Sequence, residues 1–258
     1  RRVGYEAKQL KLICCMRGGP VNIALDYAKS KGIVCSNSPG KNAEAVAEYT
    51  IGLLLAHIRH IAEGKQGMYE DQYIQRYGNY DDLGFELSGK KFGLVGFGRI
   101  AQRLNHILQA FGSEVLAYDP FMPAEKIKEM GAVPCTLDEL LQNADVVSLH
   151  ARSKGVLIGE REFGLMKPGA FFINTARGTL VDYKALKTAL EEKRLSGAVL
   201  DVLSTEPFAF YRELLAMPNV TITPHMAGVS RETVLRGVEM TGDEIRRFMT
   251  GEPLSYQM

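Results

Sequence analysis

The sequence predicts an α/β protein, a doubly wound parallel sheet accompanied by a second, smaller α/β domain. Three observations carry that expectation. Strand-like and helix-like segments alternate along most of the 258 residues. Several of the strands are unbroken apolar runs, the pattern of parallel strands covered on both faces. A glycine-rich turn, "GFGRIA", falls between one such strand and an amphipathic helix. The chain is long enough for two domains with cores of their own.

The elements follow in order. "LKLICCM" reads as a buried strand, reached almost at once and without an initiator methionine, so a preceding segment is expected to be missing. A loop, "RGGP", leads to a helix "IALDYAKS" that Asn22 is placed to cap. "IVCS" is a second strand. Asn42 then opens a long helix, "AEAVAEYTIGLLLAHIRHIAEG", apolar on most sides and therefore buried. The Tyr-, Gly- and Asp-rich stretch "MYEDQYIQRYGNYDDLGFEL" has weak periodicity and reads as a connector between domains.

From Lys91 the pattern sharpens. "KFGLVGF" is a strand, and the helix after it carries Ile100, Leu104, Ile107, Leu108 and Phe111 on one face until Gly112 ends it. "EVLAYD" is the next strand, and Thr136 with Glu139 forms a capping box for a short helix. "DVVSLH", "AFFINTA", "GAVLDV" and "VTIT" are further strands, with a helix after Asp182 and a final helix after Ser230. Residues 85–223 make one domain, and residues 1–84 with 224–258 make the other.

Composition narrows the classes of function. The 31 basic and 30 acidic side chains leave a net charge of +1, which gives no footing for nucleic acid or an anionic membrane. No apolar run reaches the roughly 20 residues that span a bilayer. The cysteines, Cys14, Cys15, Cys35 and Cys135, lack metal-ligand spacing, and neighbours on a strand make poor disulfide partners. Reduced cysteines in a cytoplasmic protein are the expectation.

The glycine-rich turn specifies a ligand. Gly96 permits a tight turn, Gly98 lets a pyrophosphate approach the backbone, and Ala101 allows close packing of helix on strand. Arg99 and Ile100 open a helix whose amino terminus favours phosphate. Asp119 closes the next strand, where an acid binds the adenosine ribose hydroxyls and repels a 2′-phosphate. The expected cofactor is NAD. A methyltransferase also uses a glycine loop and an acid, so the fold alone does not decide the chemistry.

Three residues decide it. Reduction of a 2-oxo acid needs a cation for the carboxylate and ketone, and an acid that protonates the oxygen. "INTARGTLVD" supplies Arg177 beyond one strand end, "LDVLSTEP" supplies Glu206 beyond another, and "NVTITPHMAG" supplies His225 beyond a third. All three are expected at one sheet edge, with the Glu206 carboxylate keeping the imidazole charged.

Together "GLVGFGRIA", "MKPGAFFINTARGTLVD", "LSGAVLDVLSTEP" and "NVTITPHMAG" make the chain resemble the D-isomer-specific 2-hydroxyacid dehydrogenases, over nearly its full length. The resemblance implies a Rossmann-type NAD-binding domain and a smaller flavodoxin-like substrate-binding domain, incomplete at its amino terminus. It implies catalysis by Arg177, Glu206 and His225, with Gly18, Gly19 and Arg177 holding the substrate carboxylate. It further implies that Thr175, Ala176 and Asp201 contact the nicotinamide amide, that His150 and Gly228 line the cofactor cleft, and that Thr50 lies near the pyrophosphate. The long helix would form a homodimer interface.

The sequence departs from the family in lacking several dozen residues before "LKLI" and in a short turn, "ARSKG", after His150. The competing function is an NAD(H)-sensing corepressor-like protein on the same fold. Formate dehydrogenase is disfavoured because Glu206 stands where that branch has glutamine. His57 and His60, three apart on a helix, have no acid or cysteine partner and are expected to pack rather than bind metal.

Overall fold

The computed structural model describes residues 9–19, 22–69, 83–153, 155–204 and 211–258. Contacts divide the chain into two units, Arg1–Ala45 with Gly228–Met258, and Val46–Ala227.

In the smaller unit, β1 (Leu12–Cys15) pairs in parallel with β2 (Val34–Asn37), Leu12 opposite Val34 and Cys15 opposite Asn37. The short helix α1 (Leu25–Ser30) connects them and joins Ala28, Ile33 and Cys35 in a small core. Asn22 does not cap this helix. The helix starts at Leu25 with Ala24 as its cap, and the Asn22 amide oxygen instead faces the Cys15 thiol, 3.8 Å away.

The larger unit begins within α2 (Ala43–Ile58), which is followed by α3 (Ile61–Tyr69). One long helix was expected here, and the chain breaks it at His60, whose φ of 53° is left-handed. The buried positions of α2 include Ala47, Ile51, Leu54 and Ile58, which share a core with Phe92, Leu94 and Leu104. That packing explains why α2 belongs with the larger unit, although its sequence position groups it with residues 1–84.

The sheet of the larger unit contains seven parallel strands. They are β3 (Lys91–Val95), β4 (Glu114–Tyr118), β5 (Val133–Pro134), β6 (Val146–Leu149), β7 (Ala170–Asn174), β8 (Leu195–Leu200) and β9 (Val220–Ile222). Their spatial order is β5-β4-β3-β6-β7-β8-β9. The order reverses between β3 and β6, the kind of switch point where an open α/β sheet forms a crevice at the strand carboxyl ends.

The connecting helices are α4 (Arg99–Ala110), α5 (Ala124–Glu129), α6 (Leu137–Asn143), α7 (Glu160–Leu165), α8 (Tyr183–Glu191) and α9 (Arg212–Leu215), with α10 (Arg231–Thr250) closing the smaller unit. The Thr136–Glu139 capping box is present on α6, and Asp182 and Ser230 cap α8 and α10. On α4 the buried side chains are Ala101, Leu104, Asn105 and Leu108. Phe111, expected on that face, is the C-cap and 42% exposed, because the chain turns away at left-handed Gly112. His57 packs as expected: Nδ1 lies 2.7 Å from the Thr221 hydroxyl and the ring tilts against Phe171. His60, by contrast, does have an acid partner, with Glu63 Oε2 3.0 Å from its Nδ1, because the left-handed turn brings the next helix's first turn beneath the ring.

Candidate active site

The phosphate cradle forms where β3 ends. Gly96 adopts φ 89°, and a Cβ there would come within 2.7 Å of the Ala151 nitrogen, so both the turn and its neighbour require glycine. Gly98 is the N-cap of α4, and nothing lies within 4 Å of where its Cβ would be. That open space over a helix amino terminus is what a pyrophosphate needs, so the cradle fits NAD. Arg99 is exposed and Ile100 half-buried beside it, while Ala101 is completely buried under the turn.

Asp119 has a structural task as well as its expected one. Its Oδ2 accepts the Phe97 N–H at 2.7 Å and its Oδ1 accepts the Phe121 N–H at 2.8 Å. The carboxylate thus ties the glycine turn to the end of β4. Across the switch point His150 follows β6, its Nε2 2.9 Å from the Ser148 hydroxyl. Burial pushes its imidazole down to about 4, so the ring is neutral at ordinary pH.

Arg177 and His225 follow β7 and β9, parallel strands on either side of β8, so their loops leave the same edge of the sheet. Arg177 is exposed, and its Nη1 donates to the Ala176 carbonyl at 2.6 Å. Desolvation and then the charge of Arg152 lower its pKa, yet a guanidinium so placed keeps its charge. Glu206 lies outside the described residues.

His225 is exposed and takes a left-handed φ of 57°. Histidine tolerates that region better than β-branched residues do, but the conformation needs support. Asp201, completely buried at the end of β8, gives it. The Asp201 carbonyl accepts the His225 N–H at 2.8 Å. Its carboxylate accepts the Thr223 hydroxyl at 2.6 Å and the N–H groups of Met226 and Ala227, each at 2.8 Å. Asp201 therefore holds the histidine loop from both sides.

Thr175 and Ala176 lie in the loop before Arg177. The Thr175 hydroxyl is 3.0 Å from that of Thr50, which also donates to the Val46 carbonyl. Both threonines are buried. Gly18, Gly19 and Gly228 belong to the smaller unit. The Gly18 carbonyl accepts the Asn37 amide at 3.0 Å, and a Cβ at Gly19 would meet open space. Gly228 faces Asn42, whose amide nitrogen would lie 2.8 Å from an added Cβ.

Two residues beside the arginine went unread in the sequence. Asn174 bonds to the backbone of both Ala176 and Arg177. Gly178 lies so close to the loop after β8 that a Cβ would fall 2.0 Å from the Leu203 carbonyl carbon. A signal for Asn174 existed, since asparagine at a strand end readily bonds the N–H two residues on.

The family model for the NAD-binding domain of D-isomer specific 2-hydroxyacid dehydrogenases matches residues 51–227. Glyoxylate reductase from Aeropyrum pernix is 36% identical over 96% of this chain and 76% of its own length. D-3-phosphoglycerate dehydrogenase from Archaeoglobus fulgidus is 35% identical over 96% of this chain, which spans only 47% of that longer protein. The solved structure of D-lactate dehydrogenase from Aquifex aeolicus, in complex with NAD and lactic acid, superposes with a TM-score of 0.84 at 33% identity, covering 98% of this chain and 80% of that one.

Proposed function

Because the chain belongs to the D-isomer-specific 2-hydroxyacid dehydrogenase family, we propose that Arg177, Glu206 and His225 carry its NAD-dependent interconversion of a small 2-hydroxy acid and the corresponding 2-oxo acid. The observation that supports these roles most directly is the pair of loops after β7 and β9, which present Arg177 and His225 at one sheet edge with Asp201 bracing the second.

Bound NADH supplies the hydride. Arg177 holds the substrate carboxylate in a planar, two-pronged grip and polarises the neighbouring ketone. His225 gives its proton to the ketone oxygen and takes it back in the reverse direction, while Glu206 stabilises the charged imidazole. Gly18 and Gly19 offer backbone groups for a carboxylate in the smaller, substrate-binding domain. Thr175, Ala176 and Asp201 hold the nicotinamide amide, Gly96, Gly98, Arg99, Ile100 and Thr50 the pyrophosphate region, and Asp119 the adenosine ribose. His150 lines the cofactor cleft.

Short 2-oxo acids are the substrate class, given that the relatives are named for glyoxylate, 3-phosphoglycerate and lactate. A homodimer through α2 and a cytoplasmic location belong to the same proposal. The free cysteines fit the location, and light scattering of the full-length protein reads the dimer directly. Among the described residues no helix is long and apolar enough to cross a membrane.

The test is NADH oxidation with glyoxylate, hydroxypyruvate and phosphohydroxypyruvate. With the best of these, His225→Ala should lower turnover by about 10²–10⁴-fold and leave NADH affinity unchanged. Arg177→Lys should raise KM for the 2-oxo acid despite its retained charge, because an ammonium lacks the forked geometry. Substantial turnover by His225→Ala would place the proton donor elsewhere and overturn the assignment.

A further inference from the structure

We propose that Asn174 is a positioning residue for recognition of the substrate carboxylate, acting through the backbone of Arg177. The inference rests on the reading that Arg177 grips the 2-oxo acid.

Asn174 is the last residue of β7, paired with Leu149 of β6 on one side and Leu200 of β8 on the other. Its side chain is completely buried. The amide turns toward its own loop. Oδ1 accepts the Ala176 N–H at 3.0 Å, and Nδ2 donates to the Arg177 carbonyl at 3.0 Å. The main-chain carbonyl of Asn174 accepts the Asp201 N–H at 2.9 Å. The hydroxyl of Tyr183, on the helix that follows this loop, donates to the Val202 carbonyl at 2.8 Å. One buried amide therefore spans the loop that presents the guanidinium.

The chemistry demands an amide. The site needs an acceptor for one backbone N–H and a donor for a backbone carbonyl one residue later, from a side chain two bonds long. Aspartate supplies the acceptor and sets an oxygen against the Arg177 carbonyl. Serine is too short to reach both groups, and an apolar residue removes both hydrogen bonds, leaving the Arg177 carbonyl only the Leu180 N–H at 3.3 Å. Because a misplacement of about 1 Å in a substrate clamp is worth about 10²-fold in rate, the fixed backbone matters even though Asn174 touches no substrate.

The experiment is a double-substitution cycle on the full-length enzyme with glyoxylate and NADH. Asn174→Asp should lower kcat/KM for glyoxylate by about tenfold or more, chiefly through KM, with NADH affinity held within about twofold. Placed on Arg177→Lys, which has already lost the forked grip, the same substitution should change KM by less than about twofold. Asn174→Ser supplies the same comparison if the buried carboxylate of Asn174→Asp prevents folding. Equal losses in both backgrounds, or an unchanged KM, would overturn the positioning role and leave the site reading intact. If Arg177→Lys itself leaves KM unaltered, or the wild type neither binds nor reduces glyoxylate, the reading of Arg177 fails and this inference with it.

Discussion

At the scale of single residues, the site depends on close backbone approaches that side-chain chemistry alone does not reveal. Gly178 follows the arginine, and a Cβ there would stand 2.0 Å from the Leu203 carbonyl carbon and 2.1 Å from its oxygen. Neither atom belongs to a flexible side chain, so one of the two loops has to move. Gly178→Ala should cost about 2–3 kcal/mol, a fall of roughly 5–10 °C in Tm by thermal unfolding. An unchanged midpoint would show that the two loops do not meet this closely. Arg177 and His225 stood out in the sequence because ketone reduction needs a cation and an acid, and both follow strands of one sheet. Asn174 offered only a local signal, an asparagine at a strand end, and Gly178 offered none, since its partners are backbone atoms 25 and 26 positions further along the chain. Asp201 was read as a cofactor contact, and its grip on residues 223–227 emerges only once β8 and β9 are paired.

At the scale of elements, apolar runs identified the central strands reliably, because burial on both faces leaves no room for polar residues. β5 escaped notice. It is two residues long, includes Pro134 and sits on the sheet edge, where proline is tolerated and no apolar run is required. The break between α2 and α3 was also unreadable, since neither glycine nor proline marks it. His60 carries the break with φ 53°, its N–H donating to the His57 carbonyl and its Nδ1 lying 3.0 Å from Glu63. A β-branched residue pays a steric penalty in this conformation that asparagine largely avoids. His60→Val should therefore lower stability by about 1–2 kcal/mol in urea unfolding, and His60→Asn by about 0.5 kcal/mol or less. Equal effects from the two would mean the helices join through a different backbone geometry.

At the scale of the molecule, the pH dependence of folding should carry the mark of two histidines in the larger unit. Burial lowers the pKa of both His57 and His150, the latter from 6.5 to about 4. The unfolded chain binds these protons near pH 6.5 and the folded chain resists them. Their contribution is complete above pH 6.5 and is lost as pH falls toward the folded values. The lowered carboxylates Glu139, Asp145, Asp243 and Glu252 have ordinary values of 4.5 or below, so their stabilisation disappears at more acid pH. A comparison of pH 7.5 with pH 5.0 thus isolates the histidines. For His150 alone the loss over that interval is about 2 kcal/mol, a fall of roughly 4–8 °C in the Tm of the larger unit without cofactor. His150→Gln keeps a polar partner for the Ser148 hydroxyl and has no proton to gain, so its midpoint should fall less over the same interval. His57 remains in that variant and should preserve a residual decline of the same sign. A variant that declines as steeply as the wild type would show that the ring of His150 is protonated as readily in the folded protein as in the unfolded chain.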